Sequence, residues 1–157
     1  PCRSGSRASI AASAAAALRP DLAVVLDVTP ATDTPDLAGA GAVGLGRGPT
    51  VKHADFHGRG MLRGFLAPLE LTERLHGLAA LAGIATQREV MQGVVTDASE
   101  VVRIAAPPRT VCLGLPIRYT HSPVEVIDLA DLDALVDLIE IVVRRLPAEP
   151  ATFMPPW

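Results

Sequence analysis

Aromatic residues are scarce in this sequence: Phe, Tyr and Trp together make up 3% of the 157 residues. A platform on which nucleic-acid bases could stack has little material here. Positive charge is not in excess either. Lys and Arg number 14 against 17 Asp and Glu, for a formal net charge of -3, so no basic surface points to a nucleic-acid partner. Cysteine is limited to Cys2 and Cys112, too few for a disulfide scaffold or a cysteine-built zinc site. That usage fits a reducing compartment and implies a cytoplasmic location. No apolar run is long enough to cross a bilayer, so no membrane partner is expected. Arg3 and Arg7 ahead of the apolar residues 8–18 imitate a secretory signal. The segment is mostly alanine, a strong helix former but weakly hydrophobic, and it reads as a short helix. No Asp, Glu or His precedes Asp21.

What is present is an apolar fraction of 49%, enough for a core of one compact domain or part of a larger one. The helix over 8–18 is ended by Pro20. Residues 22–26 form a continuous apolar run, as in a strand buried on both faces, ending at Asp27. Residues 29–37 carry Thr, Pro and Asp, which is loop chemistry. The glycine-rich stretch 39–49 lacks a following Gly-Lys-Ser/Thr and reads as a turn between short strands, not a phosphate loop. Residues 61–82 have helical spacing, with Pro68 kinking or dividing the helix and Gly83 stopping it. A strand follows at 86–90, a short helix at 97–105 and a buried strand at 110–115. Leu129, Leu132, Leu135, Ile139, Val142 and Leu146 line one face of a last helix. Its acidic residues lie early and Arg144 and Arg145 late, which suits the helix dipole. Alternating strands and helices predict an α/β fold: a three-layer α/β/α sandwich around a mostly parallel or mixed sheet. Residues 1–146 form the folded unit and 147–157 a proline-rich tail.

Few residues stand out for chemistry. Asp27 closes a strand, and ligands of open α/β sheets bind beyond the carboxyl ends of strands. His121 follows another buried strand and a short turn. If the strands are parallel, the carboxylate and the imidazole meet at one edge, as donors for zinc, cobalt or manganese. Each also has a plainer role, Asp27 as a turn former and His121 as a surface residue. His53, His57 and His76 show no helical metal-binding spacing and read as surface residues. Cys112 lies in an apolar run and reads as a free buried thiol.

A series of short motifs adds to this. Asp27-Val28-Thr29, Asp33-Thr34-Pro35, Leu45-Gly46-Arg47-Gly48-Pro49, Gly83-Ile84 with Gln87, Thr96-Asp97-Ala98 and Arg118-Tyr119-Thr120-His121-Ser122-Pro123-Val124-Glu125 occur in this order. Together they resemble the tetrahedral and glutamyl aminopeptidases over roughly residues 5–146. The last motif is the most specific. The resemblance implies the C-terminal half of a catalytic domain that uses two divalent metal ions, zinc or cobalt, to release N-terminal residues from a peptide substrate. It implies Asp27 as a ligand of one ion and His121 as a ligand of the other. It implies that Thr96 and Asp97 line the substrate pocket and that Gly48 passes near it. Thr96 also suits the N-cap of the helix beginning at Asp97, and Gly48 suits a turn.

The sequence also departs from the family. The adjacent glutamates expected ahead of residues 5–9 are replaced by Pro1, Cys2, Arg3 and Ser4. No general base and only two of five metal ligands can be nominated, so no catalytic residue is assigned and an incomplete, inactive chain is expected. Arg3 near the expected glutamate would repel a cation. Val94-Val95 replace two glycines before Thr96. Two other functions compete. One is a non-enzymatic interaction module, a homo-oligomer or a complex whose partner chain covers exposed sheet. The other is a metal-dependent deacylase on a related scaffold.

Overall fold

The computed structural model describes residues 9–58 and 64–146. Cys2, Arg3 and the tail 147–157 lie outside the described residues. Helix α1 (Ile10–Leu18) starts where the Ser9 hydroxyl accepts the Ala11 N–H, and it ends at Arg19, left-handed at φ 48°. Pro20 cannot continue the helix. The strands are β1 (Leu22–Pro30), β2 (Thr50–Phe56), β3 (Gly64–Leu66), β4 (Gln87–Gln92) and β5 (Arg109–Ile117). The helices that follow α1 are α2 (Leu69–Leu81), α3 (Ala98–Val101) and α4 (Leu129–Arg145).

The five strands form one mixed, open sheet. β1 and β5 run parallel, in register from Leu22↔Arg109 to Pro30↔Ile117. β2 lies antiparallel to β5 through Thr50–Lys52, antiparallel to β3 through Ala54–Phe56 and parallel to β4. Side chains alternate across the strands. On β5, Val111 and Leu113 join Val51, Leu71, Leu75, Leu135, Leu138 and Val142 in a core between the sheet and α2 with α4. Cys112 points the other way and joins Val25, Ala15, Phe65, Ala98 and Val101, between the sheet and α1 with α3. Each fully buried Leu, Val or Phe contributes about 1.5–3 kcal/mol. These are the three expected layers.

Several boundaries differ from the sequence reading. β1 continues through Asp27 and Thr29 to Pro30, so Asp27 is inside the strand and Thr29 is fully buried, not in a loop. The unbroken ladder to β5 overrides the turn preference of Thr29 and Pro30. The stretch 64–66, assigned to a helix by its spacing, is β3, and α2 begins only after Pro68. Gly64 packs against the Asp55 carbonyl with no room for a Cβ, so the chain there hugs β2. Residues 61–63 lie outside the described residues. α3 is shorter than expected. Thr96 does not cap it: Asp97 holds the N-cap position, while the Thr96 hydroxyl donates to Asp55 at 2.7 Å. Strand β2 has no signature in the sequence, because Lys52 and Asp55 interrupt its apolar pattern; both are buried. His53, read as a surface residue, is a half-buried member of that strand, and His76 is half-buried on α2.

Candidate metal and substrate site

Asp27 stands on the sheet face that carries Val25 and Thr29, directly opposite Gly114 in the β1–β5 register. It is half-buried, and its Oδ1 accepts the N–H of Val28 at 2.8 Å. Its charge is felt at Cys112, whose thiol is pushed up to about 12, first by burial and then by the carboxylates of Glu89 and Asp27. His121 lies four residues beyond the end of β5 and is exposed. Because β1 and β5 are parallel, Asp27 near the end of one and His121 beyond the other belong to the same end of the sheet.

The loop bearing His121 is tightly braced. Arg118 and Val126 exchange backbone hydrogen bonds at 2.9 and 3.2 Å, closing its base. Tyr119 and His121 both adopt left-handed backbone, at φ 62° and 63°, which costs a non-glycine residue about 1–2 kcal/mol. The His121 N–H is satisfied by Glu125 Oε1 at 2.9 Å. Arg118 reaches Asp33 with two parallel bonds, 2.8 and 2.9 Å, tying this loop to the segment after β1. That guanidinium, with the N–H of Leu45, lowers the Asp33 carboxyl to about 2.

Thr96 and Asp97 are adjacent but differently placed. Thr96 is buried, its N–H and hydroxyl both donating to Asp55 Oδ2, at 2.9 and 2.7 Å. Asp97 is exposed and accepts the Ser9 hydroxyl at 2.8 Å. Gly48 is buried on the far side of the sheet's end. Its N–H donates to Asp131 at 2.6 Å, its φ is 87°, and a Cβ there would overlap the Ala85 carbonyl. Asp131 also accepts the Gly46 N–H at 2.8 Å, so one buried carboxylate at the start of α4 fixes the glycine loop.

The most charged part of the interior was missed by the sequence reading. Glu89 on β4 accepts hydroxyls from Thr29 and from Thr50, the latter at 2.6 Å, and pairs with Lys52. All four are buried, on the sheet face that carries Asp27. Gly114 makes this possible, since a Cβ there would collide with the Thr50 hydroxyl. The available signal was the placing of Lys52 and Asp55 within Thr-Val-Lys-His-Ala-Asp-Phe, and of Glu89 two residues after Gln87. Charges in a strand buried on both faces must be paired.

Among the described residues, no three His, Cys, Asp or Glu side chains gather into a group that could hold a metal ion. Asp27 and His121 have the right chemistry, but a catalytic ion usually has three protein ligands. These two donors do not by themselves fit a dinuclear centre. None of the described helices is long and apolar enough to cross a membrane.

Comparison with known proteins gives a consistent picture. The pattern of the family described as M42 glutamyl aminopeptidase matches residues 5–138. SgcX of Escherichia coli strain K12, named as a candidate aminopeptidase, is 36% identical over 137 residues, covering 85% of this chain and 37% of SgcX. The aminopeptidase APDkam598 of the archaeon Desulfurococcus kamchatkensis superimposes with a TM-score of 0.78 at 34% identity, over 86% of this chain and 37% of that one. A TET aminopeptidase from a marine-sediment thaumarchaeote gives 0.77 at 28% identity, over 87% and 36%. The chain thus spans little more than a third of the length of these relatives.

Proposed function

The chain belongs to the M42 glutamyl aminopeptidase family, and from that premise we propose that it forms the C-terminal part of the catalytic domain of a two-metal aminopeptidase. On this reading Asp27 is a donor to one divalent ion and His121 to the other, zinc or cobalt. The remaining donors and the general base come from residues this sequence does not contain. When bound, the paired ions would polarise a peptide carbonyl and lower the pKa of a water. This chain's own residues hold donors in position. The parallel β1–β5 ladder fixes Asp27, and the Glu125 and Arg118 contacts fix the backbone of His121. Asp97, exposed beside the buried Thr96, is the residue of that pair available to a peptide substrate, and Gly48 shapes the loop anchored on Asp131.

The observation that carries this reading is the parallel pairing of β1 with β5 within a family match covering residues 5–138. The test is turnover. The isolated chain, incubated with zinc or cobalt and a panel of aminoacyl reporter substrates, is expected to give only background release. When residues 5–138 replace the corresponding segment of a full-length family aminopeptidase, release is expected, and it is expected to vanish with Asp27→Asn or His121→Ala. Strong metal-dependent turnover by the isolated chain would contradict the assignment of the missing donors elsewhere.

One observation favours a second reading, an interaction module. Among the described residues β1 pairs only with β5, and Leu26 and Val28 on it are 52% and 38% exposed. An open edge of nine residues invites pairing with a second copy or another chain. Light scattering separates the cases: a stable monomer at high concentration would count against a partner-covered edge.

A further inference from the structure

A second cluster of titratable groups lies away from this site, where α2 packs on the paired strands β2 and β4. The β2–β4 register slips between Lys52 and Ala54, so His53 is the extra residue of a β-bulge. By strand alternation His53 shares the face of Val51, which packs against Leu71 and Leu75 of α2, so its imidazole is directed toward that helix. His53 Nε2 and His76 Nε2 are 3.4 Å apart. The ring centroids are 5.6 Å apart with an interplanar angle of 18°. The centroid separation exceeds the nitrogen separation by about the two ring radii, so the rings lie end to end, nitrogen facing nitrogen.

The surrounding bonds fix where the protons are. Arg88 on β4 can only donate; its Nη1 lies 3.3 Å from His53 Nε2, so that nitrogen is an acceptor. His76 Nε2 must then carry the hydrogen that bridges the two rings. A neutral His76 with a protonated Nε2 has an accepting Nδ1, and the Thr86 hydroxyl lies 2.7 Å from it. The network closes with both imidazoles neutral, His53 protonated on Nδ1 and His76 on Nε2. On its other side Arg88 grips both carboxylate oxygens of Glu73 on α2.

We propose that His53, His76 and Arg88 form an acid-released latch that fastens α2 to the β2–β4 pair, closed while both rings are neutral and opened when His53 is protonated. The proton can enter His53 only at Nε2, where a guanidinium N–H and an imidazole N–H already point. A proton there sets an N–H and a second positive charge against the Arg88 guanidinium, a conflict that no tautomer of His76 relieves. The charged and titratable groups facing the latch are Glu73 and His76 from α2 and Arg88 from β4. Beyond it the groove is walled by Gly41, Ala42 and Val43, which carry no charge. Burial and then the Arg88 charge hold His53 below its ordinary pKa, and the same two causes hold down His76, with the Glu73 carboxylate opposing both. Opening separates His53 from His76 and Arg88 at the mouth of a groove of about 560 Å³ lined also by Leu69, Val90 and Met91, while Arg88 keeps its bonds to Glu73.

The test is a pH titration of the chain by NMR, following the imidazole nitrogens and amide protection factors together. The latch predicts the Nδ1–H form of His53 and the Nε2–H form of His76 at neutral pH. It predicts titration of both rings below pH 6.5, with protection of the α2 and β4 amides falling about tenfold or more as His53 gains its proton. In His53→Gln, whose amide oxygen still accepts, protection should lose this pH dependence. In the exposed Arg88→Gln variant, His53 should titrate closer to its ordinary value. The opposite tautomers, or the same loss of protection in His53→Gln as in the parent chain, would overturn the proposal. Should His53→Gln fail to fold, the tautomers and the Arg88→Gln titration decide alone.

Discussion

Thr50 on β2 donates its hydroxyl to the Glu89 carboxylate on the parallel strand β4 at 2.6 Å, at a position with no access to solvent. Lys52 compensates the same carboxylate. Removing one member of a buried ion pair leaves an uncompensated charge and costs about 3–5 kcal/mol. Lys52→Met should therefore lower unfolding stability in urea by that amount. Combining it with Glu89→Gln should recover part of the loss. Strictly additive losses would show that the two groups do not act as a pair.

Gly48 and Gly83 both have left-handed backbone, at φ 87° and 73°, but only Gly48 has a neighbour in the way. Gly83→Ala should cost only the conformational penalty, about 1–2 kcal/mol. Gly48→Ala adds a collision with the Ala85 carbonyl and loosens the bond to Asp131, so about 2–4 kcal/mol is expected. Denaturant midpoints of the two variants give the comparison.

Asp33 is held to about 2, first by its bonds to Arg118. Its folded pKa lies below the ordinary 3.8, so the unfolded chain binds the proton more readily. The stabilisation is complete above about pH 4 and disappears as pH falls toward 2. Asp33→Asn should remove that part of the acid sensitivity while costing about 1 kcal/mol or less at neutral pH, the usual worth of a partly exposed pair. Thermal melts of the two proteins between pH 2 and 5 check both statements.

Cys112 is fully buried and its thiol is raised to about 12. The thiolate is the reactive form. At pH 8 the native chain should leave Cys112 unlabelled by a disulfide reagent, and labelling should proceed at the rate of unfolding. Rapid labelling of Cys112 in the folded protein would contradict its placement between the sheet and α3.

The layered α/β architecture was legible because its strongest signals are local. The apolar run of β5 and the amphipathic face of α4 each announce one element. β2 was not legible. Its interior contains Lys52 and Asp55, charges that mark an exposed segment unless their partners Glu89, Thr96 and Phe65 are known, and those lie 10 to 41 residues away in sequence. The same long-range pairing hid the true end of β1, where Thr29 reads as a loop residue until Glu89 is placed beside it. For the site, the motif around His121 was visible, but the left-handed backbone that Glu125 supports was not. Thr96 reads in the sequence as a pocket or capping residue, while nothing local marks its buried partner Asp55, 41 residues away.

The central claim is that Asp27 and His121 are the two metal donors this segment contributes. Paramagnetic NMR with cobalt(II) tests it without needing catalysis. Titration of a full-length family aminopeptidase carrying residues 5–138 of this chain should give relaxation enhancement strongest at the amides flanking Asp27 and His121, at the common end of β1 and β5. His121→Ala should abolish the effect at its own loop. Enhancement centred elsewhere, or unchanged by His121→Ala, would contradict the account.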